Sequence, residues 1–198
     1  MANLAMDELK ELINGDQVDT VLAVFPDHYG RLMGKRLTAA YFLENSHFYC
    51  CDYLLSTSME MDPQTGFEMS SWEQGYGDLV FVPDLDTLRL IPWLPKTALV
   101  MCDLVSETGK PVAQSPRAIL RRQCDQLAQR GMKAYVGSEL EFHLFRGTFS
   151  DLRKTRYQNL EPSSPYRIDY HILATSFDEP VIRAIRNGMI AAGVPVEC

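Results

Sequence analysis

Two glutamates and a histidine stand at every second position of the stretch "VGSELEFHLF", residues 136–145, whose other residues read as buried strand. Side chains alternate across a strand, so Glu139, Glu141 and His143 share one face while Leu140, Phe142 and Leu144 share the other and hold the strand in a sheet. Carboxylates about 7 Å apart on one face repel unless water or a cation lies between them. Hard divalent cations take oxygen ligands, so Glu139 and Glu141 can each serve one ion of a pair. An ordinary half-solvated strand with its polar side outward gives the same alternation. On spacing alone the ordinary strand is the commoner reading, so the pattern suggests a metal site without establishing one.

The composition narrows the context in which such a strand works. In 198 residues, 46% are hydrophobic and 23% charged, the balance of a globular chain able to bury a core. A formal charge of −7 without a Lys/Arg cluster opposes binding to phosphate backbones or anionic lipid, so neither nucleic acid nor membrane is expected as a partner. The start, "MANLAMDELKEL", has acidic residues where a secretory signal needs a basic end, and no apolar run reaches the length of a membrane span. The expected localisation is cytoplasmic. Five cysteines without a Cys-x-x-Cys pair fit neither a disulfide framework nor a zinc site, and are read as reduced, mostly buried thiols.

The elements that must position the carboxylates follow from periodicity. Met6, Leu9, Leu12 and Ile13 predict an amphipathic helix ending at Gly15. "VDTVLAVFP" and "RLMGKRLTA" predict a hairpin turned at "DHYG", and "HFYCCDYLL" a third strand. Residues 56–77 read as a long irregular loop, a length that is usually functional or disordered. "DLVFVPD", "TLRLIPW" and "TALVMCDL" predict three more strands. "SPRAILRRQCDQLAQRG" predicts a helix with Ser115 as N-cap, Pro116 in its first turn, Gly131 past its end, and Leu120, Cys124 and Leu127 as the buried stripe. A strand near "YRIDYHIL" and a helix from about Asp178 to Ala192, stopped by Gly193, complete the pattern. "GRLMGKR" has glycines one residue too close for a phosphate-binding loop, Arg36 where Ser or Thr would hold magnesium, and no helix after it.

Several segments, in order, resemble the glutamine synthetase family. These are "GRLMGKR", "GYGDLVFVPDLDTLRLIPW", "CDLVSETGKPVAQSPRAIL" and "GSELEFHLF", the last matching the family's metal strand. The resemblance implies an α+β chain, with an N-terminal β-grasp domain over residues 1–103 and the beginning of the catalytic α/β domain over 104–198. It implies an ATP-dependent ligase that joins glutamate to ammonia or an organic amine through γ-glutamyl phosphate, with ATP and Mg²⁺ or Mn²⁺ as cofactors. Glu139 then resembles a ligand of the metal bridging the ATP phosphates, and Glu141 a ligand of the metal on the glutamate and amine side. Asp52 matches the aspartate that binds ammonium in a neighbouring subunit's site and helps remove its proton. Tyr170, or Tyr166 under a one-residue shift, resembles the tyrosine lining that pocket. The family histidine ligand does not fall on His143, which keeps no assigned role.

Departures sharpen the expectation. Ammonia-fixing members follow the aspartate with Gly-Ser-Ser, whereas here the text is "DYLLSTSMEMDP". Tyr53, Leu54, Leu55, Met59 and Met61 make an apolar wall that suits an organic amine, of the kind used by γ-glutamylpolyamine-type ligases. The chain ends where family members continue to further metal ligands and nucleotide-binding arginines. It therefore reads as an N-terminal fragment, inactive alone, of a chain that forms stacked homo-oligomeric rings. The competing classes are a non-catalytic assembly protein of the same family and a metal-dependent hydrolase, for which no motif supplies a base and a nucleophile.

Overall fold

The computed structural model describes residues 4–73, 75–166 and 170–197. They form two compact units, residues 4–134 with 191–195, and 135–190 with 196–197.

In the first unit, α1 (Met6–Asn14) opens with Asp7 and Glu8 in its first turn, where the helix dipole favours acids. The Glu8 carboxylate accepts the Ala5 N–H at 2.8 Å, and Leu9 is fully buried. Strands β1 (Thr20–Pro26) and β2 (Leu32–Thr38) pair antiparallel as the predicted hairpin. A short helix, α2 (Ala39–Glu44), leads to β3 (Phe48–Cys51) and a 3-10 turn over Asp52–Leu55. After the long loop come β4 (Asp78–Pro83), the two-residue β5 (Arg89–Leu90) and β6 (Thr97–Ser106). All three lie where sequence patterning predicts strands.

The sheet runs β2-β1-β6-β4-β3, with β5 beside the start of β6. Only β1 and β6 are parallel; the other pairs are antiparallel. Ten residues long, β6 pairs β1 with its first half and β4 with its second. Central strands are buried on both faces, which is why β1 and β6 read as near-continuous apolar runs. Phe25 and Phe81 meet edge to face at 5.2 Å within the core, alongside Leu9, Leu55, Leu88 and Leu104. Burial of each such side chain contributes about 1.5–3 kcal/mol.

Helix α3 (Pro116–Gln129) starts as predicted, with Ser115 at the N-cap and Pro116 in the first turn. Gly131, just past its end, takes the left-handed conformation at φ 68°. Its stripe is not buried, however: Leu120 is 65% exposed and Cys124 exposed. What ties this helix to the sheet is charge. Arg117 binds Asp84 and, at 2.7 Å, Asp103; Arg121 reaches Asp103 at 2.9 Å. Periodicity identifies an apolar stripe without supplying the surface that covers it.

The second unit corrects the reading of residues 136–145. No strand forms there; Phe145 alone makes an isolated bridge, to Pro162, flanked by Arg146 N–H to Glu161 O at 2.8 Å and Ser163 N–H to Leu144 O at 2.9 Å. Val136 is 92% exposed, Leu140 85% and Phe142 56%. Alternation marks two faces, but a strand persists only with a ladder partner and something to bury against, and residues 136–143 belong to no ladder among the described residues and lie exposed. Helices α4 (Phe149–Lys154), α5 (Ile172–Thr175) and α6 (Glu179–Ala191) complete the unit. In "YRIDYHIL", residues 167–169 lie outside the described residues, Tyr170 is a turn residue and helix α5 begins at Ile172, so the expected strand is replaced there. Among the described residues no helix is long and apolar enough to cross a membrane.

Candidate functional site

Asp52 sits where β3 ends, in the first unit, and is 7% exposed. The Ser70 hydroxyl donates to its Oδ1 and the Gly77 N–H to its Oδ2, both at 2.8 Å, while the Asp52 N–H donates to Gly77 O at 2.9 Å. Ser70 itself is 1% exposed. A Cβ on Gly77 would lie 3.2 Å from Asp52 Oδ2, so a side chain there would crowd the carboxylate. Since Cys51 pairs with Asp78, the two ends of the loop close on Asp52. Ser70 and Gly77 thus fasten the end of this loop to a buried carboxylate.

A second clamp holds the loop's first half. In the turn between β1 and β2, Asp27 accepts the Tyr29 and Arg31 N–H groups at 2.9 Å and pairs with Arg31 Nε at 2.6 Å. The Arg31 guanidinium then donates to Met59 O at 2.7 Å and Ser58 O at 3.2 Å. Burial pushes the Asp27 carboxyl up, but the hydrogen bonds from Arg31 and Tyr29 and the Arg31 charge outweigh it, leaving it below the usual carboxylate range. Of the expected apolar wall, Leu55 is instead 1% exposed in the core and Leu54 packs against that core. Met59 and Met61 do reach solvent, as does Trp72, whose ring meets Tyr76 at 6.3 Å; Tyr76 in turn meets Tyr53 at 5.6 Å.

The other candidates lie in the second unit. Glu139 and Glu141 are exposed on the irregular segment, and His143 faces the Phe145 ring at 6.3 Å. Among the described residues no group of three or more His, Cys, Asp or Glu side chains could hold a metal. As donors Glu139 and Glu141 fit Mg²⁺ or Mn²⁺ in kind, being hard carboxylate oxygens, but not in number, because such ions take about six ligands. Tyr170 is 95% exposed in a turn at φ 55°. Tyr166 and His143 are brought together on a cleft of about 700 Å³, with Phe142, Leu144, Pro162 and Ile182 also on its walls.

Ser70, Trp72, Tyr76 and Gly77 escaped sequence reasoning. The available signal was "GYG" directly before a strand, a turn able to place a backbone N–H. Nothing in the sequence marks Ser70. Exposed Cys51 and Cys124 likewise depart from the expectation of buried thiols, which Cys50 and Cys102 meet.

Comparison with known proteins gives these features a lineage. Residues 113–198, which include Glu139 and Glu141, match the family model "Glutamine synthetase, catalytic domain". The chain is 44% identical over 197 residues to a γ-glutamylethanolamide synthetase, GlnA4, of Streptomyces coelicolor, covering 98% of this chain and 43% of that protein. It is 29% identical over 193 residues to a glutamate–isopropylamine ligase of a Pseudomonas species, covering 96% and 42%. The chain therefore spans less than half the length of these relatives. A solved structure titled "Apo GmaS without ligand" superposes with a TM-score of 0.61 at 19% identity, over 95% of this chain and 40% of that one, a likeness of fold alone. Residues 113–198 therefore belong to the glutamine synthetase catalytic-domain family, and almost the whole chain aligns with part of these ligases.

Proposed function

We propose that this chain is part of an ATP-dependent ligase that joins the γ-carboxyl of glutamate to an amine through γ-glutamyl phosphate, with an organic amine preferred to ammonia. The observation that carries the reading is the buried Asp52 carboxylate, held on both oxygens by Ser70 and Gly77. Such a group favours binding a protonated amine and can accept its proton as nitrogen becomes nucleophilic. In this reading Asp52 serves a neighbouring subunit's amine pocket, and Tyr170, with Tyr166 as the alternative, lines that pocket. Glu139 and Glu141 would contribute carboxylate oxygens to Mg²⁺ or Mn²⁺, whose charge would offset that of the phosphates. Because two carboxylates are too few for two such ions, residues 1–198 alone are expected to give no turnover.

We assign residues 1–103 to a β-grasp domain and 104–198 to the start of the catalytic domain. The hairpin β1–β2, the parallel β1–β6 pair at the centre and the antiparallel β4 and β3 beyond it support a β-grasp topology, with β6 carrying the sheet past residue 103 to Ser106. A homo-oligomer of stacked rings and a cytoplasmic location belong to the same proposal.

The test is ADP release by the full gene product with glutamate, ATP and either ammonia, ethanolamine, isopropylamine, putrescine or spermidine. Preference for ammonia refutes the organic-amine assignment. Calorimetric Mn²⁺ titration of wild type and the Glu139→Ala/Glu141→Ala double variant addresses the metal role. Weaker binding by the variant is expected, and equal affinities favour a non-catalytic assembly protein.

A further inference from the structure

Three aromatic side chains gather where the ends of the long loop close on Asp52. Tyr53 follows Asp52 directly. Tyr76 precedes Gly77, whose N–H binds Asp52 Oδ2, and Trp72 lies two residues beyond Ser70, whose hydroxyl binds Oδ1. The rings form a row, Tyr53 against Tyr76 at 5.6 Å and 76°, and Tyr76 against Trp72 at 6.3 Å and 74°. Edge-to-face contacts of this kind fix ring orientation. At 80% exposure, the Trp72 indole keeps surface open to solvent.

We propose that Tyr53, Trp72 and Tyr76, together with Asp52, form a subsite for the organic part of a primary alkylammonium substrate. The inference rests on the ligase reading above. A carboxylate and a row of π faces attract the same kind of ligand: the anion attracts the ammonium, and the ring quadrupoles attract the positive charge shared with its neighbouring carbons. Bare ammonium meets the same π faces but is more strongly hydrated and has no carbons to bury against the row. An alkylammonium also buries apolar area against the rings, a gain additional to the charge. The subsite therefore selects small organic cations over ammonia by chemistry the Asp52 carboxylate alone does not provide.

The test compares Trp72→Leu and Trp72→Phe in the full gene product, because leucine keeps apolar area without a π face and phenylalanine keeps the face. Steady-state KM is measured for ethanolamine, isopropylamine and glutamate, with tetramethylammonium, which cannot be acylated, as an inhibitor competing with the amine. The leucine variant is expected to raise the amine KM and the tetramethylammonium inhibition constant about three- to thirty-fold, the span of a cation–π contact from exposed to desolvated. Phenylalanine is expected to recover most of this, with the glutamate KM unmoved. Amine and tetramethylammonium constants unchanged in Trp72→Leu overturn the proposal, as does an equal rise in the glutamate KM, which signals general damage to the loop. If Asp52→Asn abolishes amine-dependent turnover while Trp72→Leu is silent, the subsite falls and the ligase reading stands. If wild type turns over no amine at all, both fall together.

Discussion

Gly34→Ala is the substitution whose cost the structure defines most sharply. Gly34 pairs with Val24 across the β1–β2 ladder, between Lys35 opposite Ala23 and Met33 opposite Phe25. A Cβ built there would lie 2.0 Å from Ala23 O and 2.9 Å from Val24 Cα, against an ordinary contact of 3.4–4 Å. Both obstacles are backbone, so neither can rotate away. Relief requires β2 to move outward by more than about 1 Å, which stretches the neighbouring ladder hydrogen bonds; these contribute about 1 kcal/mol each. Disturbed packing adds about 1–3 kcal/mol. A total near 4 kcal/mol corresponds to a drop of about 8–16 °C in Tm for a chain of this size. The assay is thermal and urea unfolding followed by circular dichroism, with Gly30→Ala as control. Gly30 also has positive φ, 77°, but nothing within 4 Å of its missing Cβ, so that variant carries only the backbone cost, about 1 kcal/mol. Equal losses in the two variants would refute the steric argument.

Asp27→Asn should destabilise the fold by about 2–3 kcal/mol near neutral pH, because a charge-assisted pair to Arg31 is lost from a 3% exposed site. The folded Asp27 carboxyl is depressed, so its share of stability is present above the unfolded value of about 3.9 and is lost as pH falls through the folded value. Urea midpoints for wild type and variant should therefore converge below about pH 4, and a gap that widens there contradicts the assignment. Cys50 and Cys102 are 6% and 0% exposed, and burial pushes both thiols up to about 12. Brief maleimide labelling at pH 7 with peptide mapping should find Cys51 and Cys124 modified and these two protected until unfolding. Labelling of Cys50 as fast as that of Cys51 would overturn this.

Much of the first unit was legible because its signals are local. Helix α1, the β1–β2 hairpin, β3, β4 and β6 follow from periodicity and turn residues, since each repeats an apolar spacing that its own neighbours complete. The P-loop-like string "GRLMGKR" shows where local reading stops. Its spacing does not fit a phosphate-binding loop, yet only the ladder explains Gly34, as the point where two backbones approach too closely for a side chain. Residues 136–145 show the converse: a strong alternating pattern without a strand, because its partner is a long-range matter that alternation does not encode.

By itself, then, the sequence determined most elements of the first unit, the glutamine synthetase motifs and, through the resemblance those motifs carry, Asp52, Tyr170, Glu139 and Glu141 as candidates, because residue type and short-range spacing are local information. Tertiary structure alone decided that Ser70 and Gly77, 18 and 25 residues from Asp52, hold its two oxygens. It likewise decided that Arg31 grips a loop 27 and 28 residues away, and that Tyr53, Tyr76 and Trp72 stand in one row. A hydrogen bond or ring contact depends on where distant backbone segments meet, and that is set by burial of the shared core rather than by any residue's neighbours in the chain.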